Sequence, residues 1–228
     1  MVKCLPVSAL HYKFPENKQL NPKNSKHMKT FQYSIALTVS ALLLTLYSCN
    51  YEADSFILQK SVFIEDVESP GLPIYSEWGY NTFGAYIDRQ PFTSGNTDIP
   101  AKIIVNSDTM NIMLKGVMGN QFASITFSFI GYPIADFPDL HVLNDSILNM
   151  KGVGCIVTLT RGTKQEVLRI IEGKMHIKRV QKLYVDKQFA KSIVSGTFNF
   201  KTFFDKEPVA ISAGRFDLGI GYESFYNF

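Results

Sequence analysis

Groups able to do chemistry are sparse in this chain of 228 residues: three cysteines and four histidines beside twenty acids. His141 falls in Asp136-Phe137-Pro138-Asp139-Leu140-His141, with Asp145 close behind. Carboxylate oxygens and an imidazole are donors that a divalent ion accepts. The spacing fits neither an EF-hand nor a zinc motif, and a polar surface loop accounts for the run. His176 alternates with Lys174 and Lys178, which places it on a wet, basic strand face. Glu77 and Asp88 would serve a glycosidase only if a fold set them across one cleft, and nothing in the sequence brings them together. Cys155 shares parity with Val153, Val157 and Leu159, so it reads as a small buried hydrophobe and not as a nucleophile. No Gly-x-Ser-x-Gly, His-Glu-x-x-His or phosphate-cradling glycine loop occurs. Gly152-Val153-Gly154 opens a strand instead of a strand-to-helix turn. The expectation is a non-enzymatic protein with no catalytic residue, no metal site and no cofactor.

Cys49 is different, because it stands where an apolar run stops. Tyr33 to Leu46, YSIALTVSALLLTL, holds fourteen positions without a charge. A membrane-spanning helix needs about 20 apolar residues and a signal-peptide core about 7–15. Lys26, His27, Met28 and Lys29 form a short basic region just before it. Leu46-Tyr47-Ser48-Cys49 resembles the lipobox of bacterial lipoproteins, in which the cysteine becomes the first mature residue and carries the lipid. The thiol is the nucleophile that takes the diacylglyceryl thioether, and acyl chains contribute about 0.8 kcal/mol per buried methylene. The alternative is an uncleaved anchor helix that ends in a cysteine, for which the apolar run is short. Asn50-Tyr51-Glu52-Ala53-Asp54 resembles the acidic export cue of surface-displayed Bacteroidetes lipoproteins. The resemblance implies a lipid anchor in the outer membrane, facing either the periplasm or the cell surface. Residues 1–27 read as neither signal nor domain, and Met28 is the expected initiator.

The charge is unevenly spread. Residues 1–48 carry six lysines against one acid, a net +5, and residues 49–228 carry a net −2. A mildly acidic body offers no clustered positive face for nucleic acid. The partners expected are the membrane, through the lipid, and a protein or a polysaccharide.

Tyr75-Ser76-Glu77-Trp78-Gly79-Tyr80 contains the only tryptophan. Tyr75, Trp78 and Tyr80 present flat apolar faces with polar handles, suited to stacking on a sugar or a partner protein. The plainer reading is a plug over the open end of the body. Asp108-Thr109-Met110 and Asp145-Ser146-Ile147 resemble the Asp-Ser/Thr-apolar sites that Bacteroidetes envelope proteins glycosylate, which makes Thr109 and Ser146 candidates for O-glycosylation.

Those residues must be positioned by strands. From residue 82 onward period-two alternation dominates, with no long helical stripe. In 122–130 (FASITFSFI), Ala123, Ile125, Phe127 and Phe129 share one face while Ser124, Thr126 and Ser128 share the other. Residues 101–105 and 110–114 repeat the scheme around Asn106-Ser107-Asp108, which predicts a hairpin. Further runs follow at 153–160, 166–171, 174–185, 193–204, 208–212 and 215–222. Residues 132–150 break the pattern and read as a long excursion with one helical turn. The sum is an all-β, antiparallel β-sandwich or flattened barrel of about nine strands. The layout expected is an upstream extension (1–27), a lipoprotein signal peptide (28–48), a lipidated tether (49–74) and the β domain (75–228). Gly214 is expected in a tight turn, and Arg215 with Asp217 in a solvated pair.

Residues 192–218 carry a second resemblance. Ser195-Gly196-Thr197-Phe198-Asn199-Phe200 and Val209-Ala210-Ile211-Ser212-Ala213-Gly214-Arg215-Phe216-Asp217 are similar to the closing "SGTF-F" and "V-IT-G-FD" strands of small uncharacterised Bacteroidetes lipoproteins. That family has no established activity, so the likeness implies fold and location alone. The aromatic end, Tyr222 to Phe228, resembles the closing signal of outer-membrane barrels, but most of the runs are too short for strands of about 9–11 residues with a continuous outward apolar band, and one protein seldom carries both a lipid anchor and a barrel.

Overall fold

The computed structural model describes residues 60–95, 97–204 and 206–228. Cys49, the apolar run before it and the expected extension therefore lie outside the described residues. Among the described residues no helix is long and apolar enough to cross a membrane. The described chain is an antiparallel β structure, as its alternation predicts. Twelve strands occur among these residues. The first half comprises β1 Thr82–Ile87, β2 Gln90–Thr93, β3 Ala101–Asn106, β4 Thr109–Met118, β5 Gln121–Ile130 and β6 Ser146–Asn149. The second comprises β7 Cys155–Arg161, β8 Lys164–Leu168, β9 Glu172–Val185, β10 Gln188–Phe204, β11 Glu207–Ile220 and β12 Phe225–Asn227.

Hydrogen bonding links them in the order β6-β9-β10-β11-β1-β2-β4-β5-β7-β8, with β3 on β4 and β12 pairing parallel to β3. The sheet does not close, since β6 and β8 are the two ends of that order. It folds over so that the inner faces of its halves meet. The Phe127 ring of β5 lies 5.4 Å from that of Phe198 and 6.0 Å from that of Phe200, both on β10, in edge-on contact. Ala123, Ile125, Phe127 and Phe129 are all buried, and so are the inner residues of the β3–β4 hairpin. Each large apolar side chain placed there contributes about 1.5–3 kcal/mol.

The excursion at 132–150 contains a 3-10 helix, Phe137–Leu143. Its buried residues Phe137, Leu140 and Leu143 recur every third position, the period of that helix. β6 follows at Ser146–Asn149. The two runs expected at 208–212 and 215–222 are one strand, β11, interrupted by a bulge. Phe198 faces Gly214 and Phe200 faces Ile211, so one extra residue is accommodated between them. The left-handed residue there is Ala213 (φ 53) and not Gly214. Gly214 lies within the strand, where a Cβ would come 2.2 Å from the Phe198 carbonyl oxygen. The turn expected at Gly214 is thus a bulge whose close approach demands glycine.

Residues 60–74, which the sequence assigns to the tether, fold against the sheet instead. They continue into 75–80 to form a strap across the outer face of β1, β11, β10 and β9. Glu65 bridges to Pro73, the Ile74 N–H donates to the Ile64 carbonyl at 2.8 Å, and the Val62 N–H donates to Tyr80 at 2.8 Å. Leu72 is wholly buried. A Cβ on Gly84 of β1 would lie 2.4 Å from Pro73 Cδ, so the absence of a side chain at Gly84 is what lets the strap lie flat.

Candidate functional site

The strap is fastened by a buried carboxylate. Asp217 sits in β11, only 1% exposed, with its side chain turned toward the strap. It accepts the N–H groups of Trp78 at 3.1 Å, Gly79 at 2.9 Å and Tyr80 at 3.1 Å. The hydroxyl of Ser195 donates to it at 3.1 Å, and that of Ser76 donates as well. A charge out of water is tolerated only when donors replace its hydration, and five groups do so here. The solvated Arg215–Asp217 pair expected from sequence does not form. Arg215 instead turns to the strap, where it pairs with Asp66 and donates to the Ser69 hydroxyl at 3.0 Å.

This fastening decides the fate of the aromatic cluster. With its backbone held on Asp217, Trp78 projects outward and is 77% exposed. It does not plug the body, because the residues that anchor it use main-chain groups and leave the indole free. Tyr75 and Tyr80 are half-buried. The Tyr75 hydroxyl donates to Glu77 at 2.9 Å, and the Lys178 ammonium lies 4.5 Å from the centroid of its ring. Burial, and then the bond to Glu77, raise the Tyr75 phenol above its ordinary range. Glu77 is held below the usual carboxylate value, first by Arg179 at 2.8 Å and then by the Tyr75 hydroxyl. Gln181 also donates to the Glu77 carbonyl at 2.9 Å. Asp66 is lowered too, first by the N–H of Glu68 and then by Arg215.

Between strap and sheet lies an open cleft of about 380 Å³. Its floor includes Thr197 and Asn199 of β10, and its walls include Ser69 and Tyr75 of the strap with Lys178 of β9. Sequence reasoning missed Asp217, Thr197 and Asn199 as a set. Alternation shows that such residues share an outer face, but not that a distant segment covers part of it.

The other candidates stay apart. Asp136 caps the 3-10 helix by accepting the Phe137 N–H at 2.7 Å, and His141 Nδ1 lies 2.9 Å from the Pro138 carbonyl oxygen. Asp145 pairs with His176 at 2.9 Å. Among the described residues no three potential ligands gather as a metal group. Glu77 precedes β1 and Asp88 occupies the turn after it, so the two carboxylates stand at opposite ends of one strand. Cys155 is buried, and burial pushes its thiol up to about 12. Thr109 opens β4 and donates to Asp108 at 2.9 Å, while Ser146 opens β6. Both are half-buried at strand starts.

No family model, curated protein or solved structure matches the chain.

Proposed function

We propose that this protein is a lipid-anchored component of the bacterial outer envelope, held through Cys49, whose β body is a non-enzymatic binding module. The anchor rests on the sequence alone: a short apolar core, a basic approach to it and a cysteine at its end. For the body, the single observation that carries the reading is the exposed Trp78 on a backbone pinned to the buried Asp217. A large indole left in water on a fixed loop loses little entropy when it binds, which is how aromatic anchors reach useful affinity.

A glycan is the ligand that this observation favours over a structural role. Sugar rings offer CH faces to a flat aromatic, and an indole used only for packing would be covered. Because Trp78 is the only tryptophan, its fluorescence reports one place. Acrylamide should quench the full-length protein in detergent, and soluble polysaccharide should shift the emission and protect against quenching. If Trp78→Ala binds polysaccharide as well as the parent does, the aromatic-anchor reading is wrong. The anchor is tested separately by mass spectrometry of the mature N-terminus, where an unmodified Cys49 in an unprocessed chain would refute lipidation.

A further inference from the structure

We infer that the cleft between the strap and β9–β11 binds a neutral oligosaccharide. This rests on the glycan reading above and adds where a sugar sits and of what charge. The volume of about 380 Å³ falls within the range of small-ligand sites. What distinguishes the cleft is the chemistry of its surface. Thr197 and Asn199 form the floor and Ser69 the facing wall. A hydroxyl or a side-chain amide both donates and accepts, which is also what a sugar hydroxyl does.

The charges around the cleft cancel. Lys178 and Arg215 stand against Asp66 and Glu68, and Arg215 is already committed to Asp66. A balanced lining gives no field to draw in a phosphate or a polyanion. An apolar ligand would strip water from these polar groups without replacing it. A neutral sugar replaces it hydroxyl for hydroxyl. The floor is also held in the sheet: Thr197 of β10 is paired to His176 of β9 and to Arg215 of β11, and Asn199 to Lys174 of β9 beside the β11 bulge. Tyr75 supplies an aromatic wall, fixed by its bond to Glu77 and by the Lys178 ammonium over its ring.

The test uses the full-length protein in detergent micelles, titrated calorimetrically with soluble cello-, malto-, xylo- and manno-oligosaccharides and with an acidic oligogalacturonide. At least one neutral series should bind in preference to the acidic one. Thr197→Val and Asn199→Ala should each weaken that binding by about 3- to 10-fold, the loss of one hydrogen bond. Lys178→Gln, at an exposed strand position, gives a second variant if either floor change disturbs the fold. Neutral binding that Trp78→Ala abolishes while all three cleft variants keep parental affinity would leave the glycan reading standing and overturn the cleft. Preference for the acidic sugar would overturn its neutrality. Failure of every sugar to bind would remove the glycan reading and the cleft with it.

Discussion

Asp217 shows how much one side chain can organise. An aspartate in a strand of alternating residues would ordinarily face water, but here three main-chain N–H groups and two hydroxyls enclose it. Asp217→Asn keeps the shape and replaces one acceptor oxygen with a donor that faces other donors. The expected cost is about 3 kcal/mol, read as a lower urea midpoint, together with a change in Trp78 emission as the loop loosens. A midpoint equal to that of the parent would mean that the carboxylate does not hold the strap. Cys155 makes the opposite point, since its thiol is inert by burial and not by pairing. With its pKa pushed up to about 12, it is protonated at neutrality as well as enclosed. A thiol-specific disulfide reagent should leave the peptide containing Cys155 unlabelled in the native protein and label it fully in denaturant. Rapid native labelling would show that the strand opens.

The strap is the element on which site and stability both depend, and its ion pairs give it a pH dependence with a definite sign. Asp66 and Glu77 both have folded values depressed below their ordinary 3.8 and 4.5. A depressed carboxylate contributes stability above its unfolded value and loses it as pH falls through the folded one. The strap should therefore be fully fastened at neutrality and slacken in acid, with Glu77 affected from about pH 4.5 downward and Asp66 from about 3.8. Acrylamide quenching and anisotropy of Trp78, followed from neutrality into acid, should show the indole growing more mobile through that window. A flat response would mean that the two pairs do not govern the strap. Little of this element was legible in the sequence, because Lys60–Tyr80 has neither period and owes its conformation to what lies beneath it. The strands were legible where the inner face alternates without interruption, as from Ala123 to Phe129. β2 was not, since Pro91 argues against a strand; it is tolerated because β4 pairs only with Phe92 and Thr93. β6 and β12, at four and three residues, are too short to show a period. Two tight turns also lacked the expected glycine: Asp88-Arg89 and Asp186-Lys187 have positive φ at both positions.

At the scale of the whole molecule, the body is secured by apolar contact between two halves of one folded-over sheet. Cys155 is the one described cysteine, and it is free. The inner faces of β5 and β10 meet through Phe127, Phe198 and Phe200, and the connection from β8 to β9 is tied to β10 by the Ile171 N–H donating to the Lys201 carbonyl at 2.8 Å. Stability drawn from such a core does not depend on what the chain is attached to, because burial acts locally. The lipid proposed at Cys49 would then determine where the protein resides and leave its fold unchanged. Cys49→Ser separates the two roles, as serine preserves the size of the side chain and removes the thiol that takes the thioether. The variant should escape lipid modification and fail to fractionate with the outer membrane, while its body unfolds at the same urea concentration as the parent. A variant that still fractionates with the outer membrane would point to attachment by the β body itself. One that fractionates as expected but unfolds at a lower urea concentration would instead show that the lipid anchor contributes to the stability of the body, and that the body is not self-sufficient.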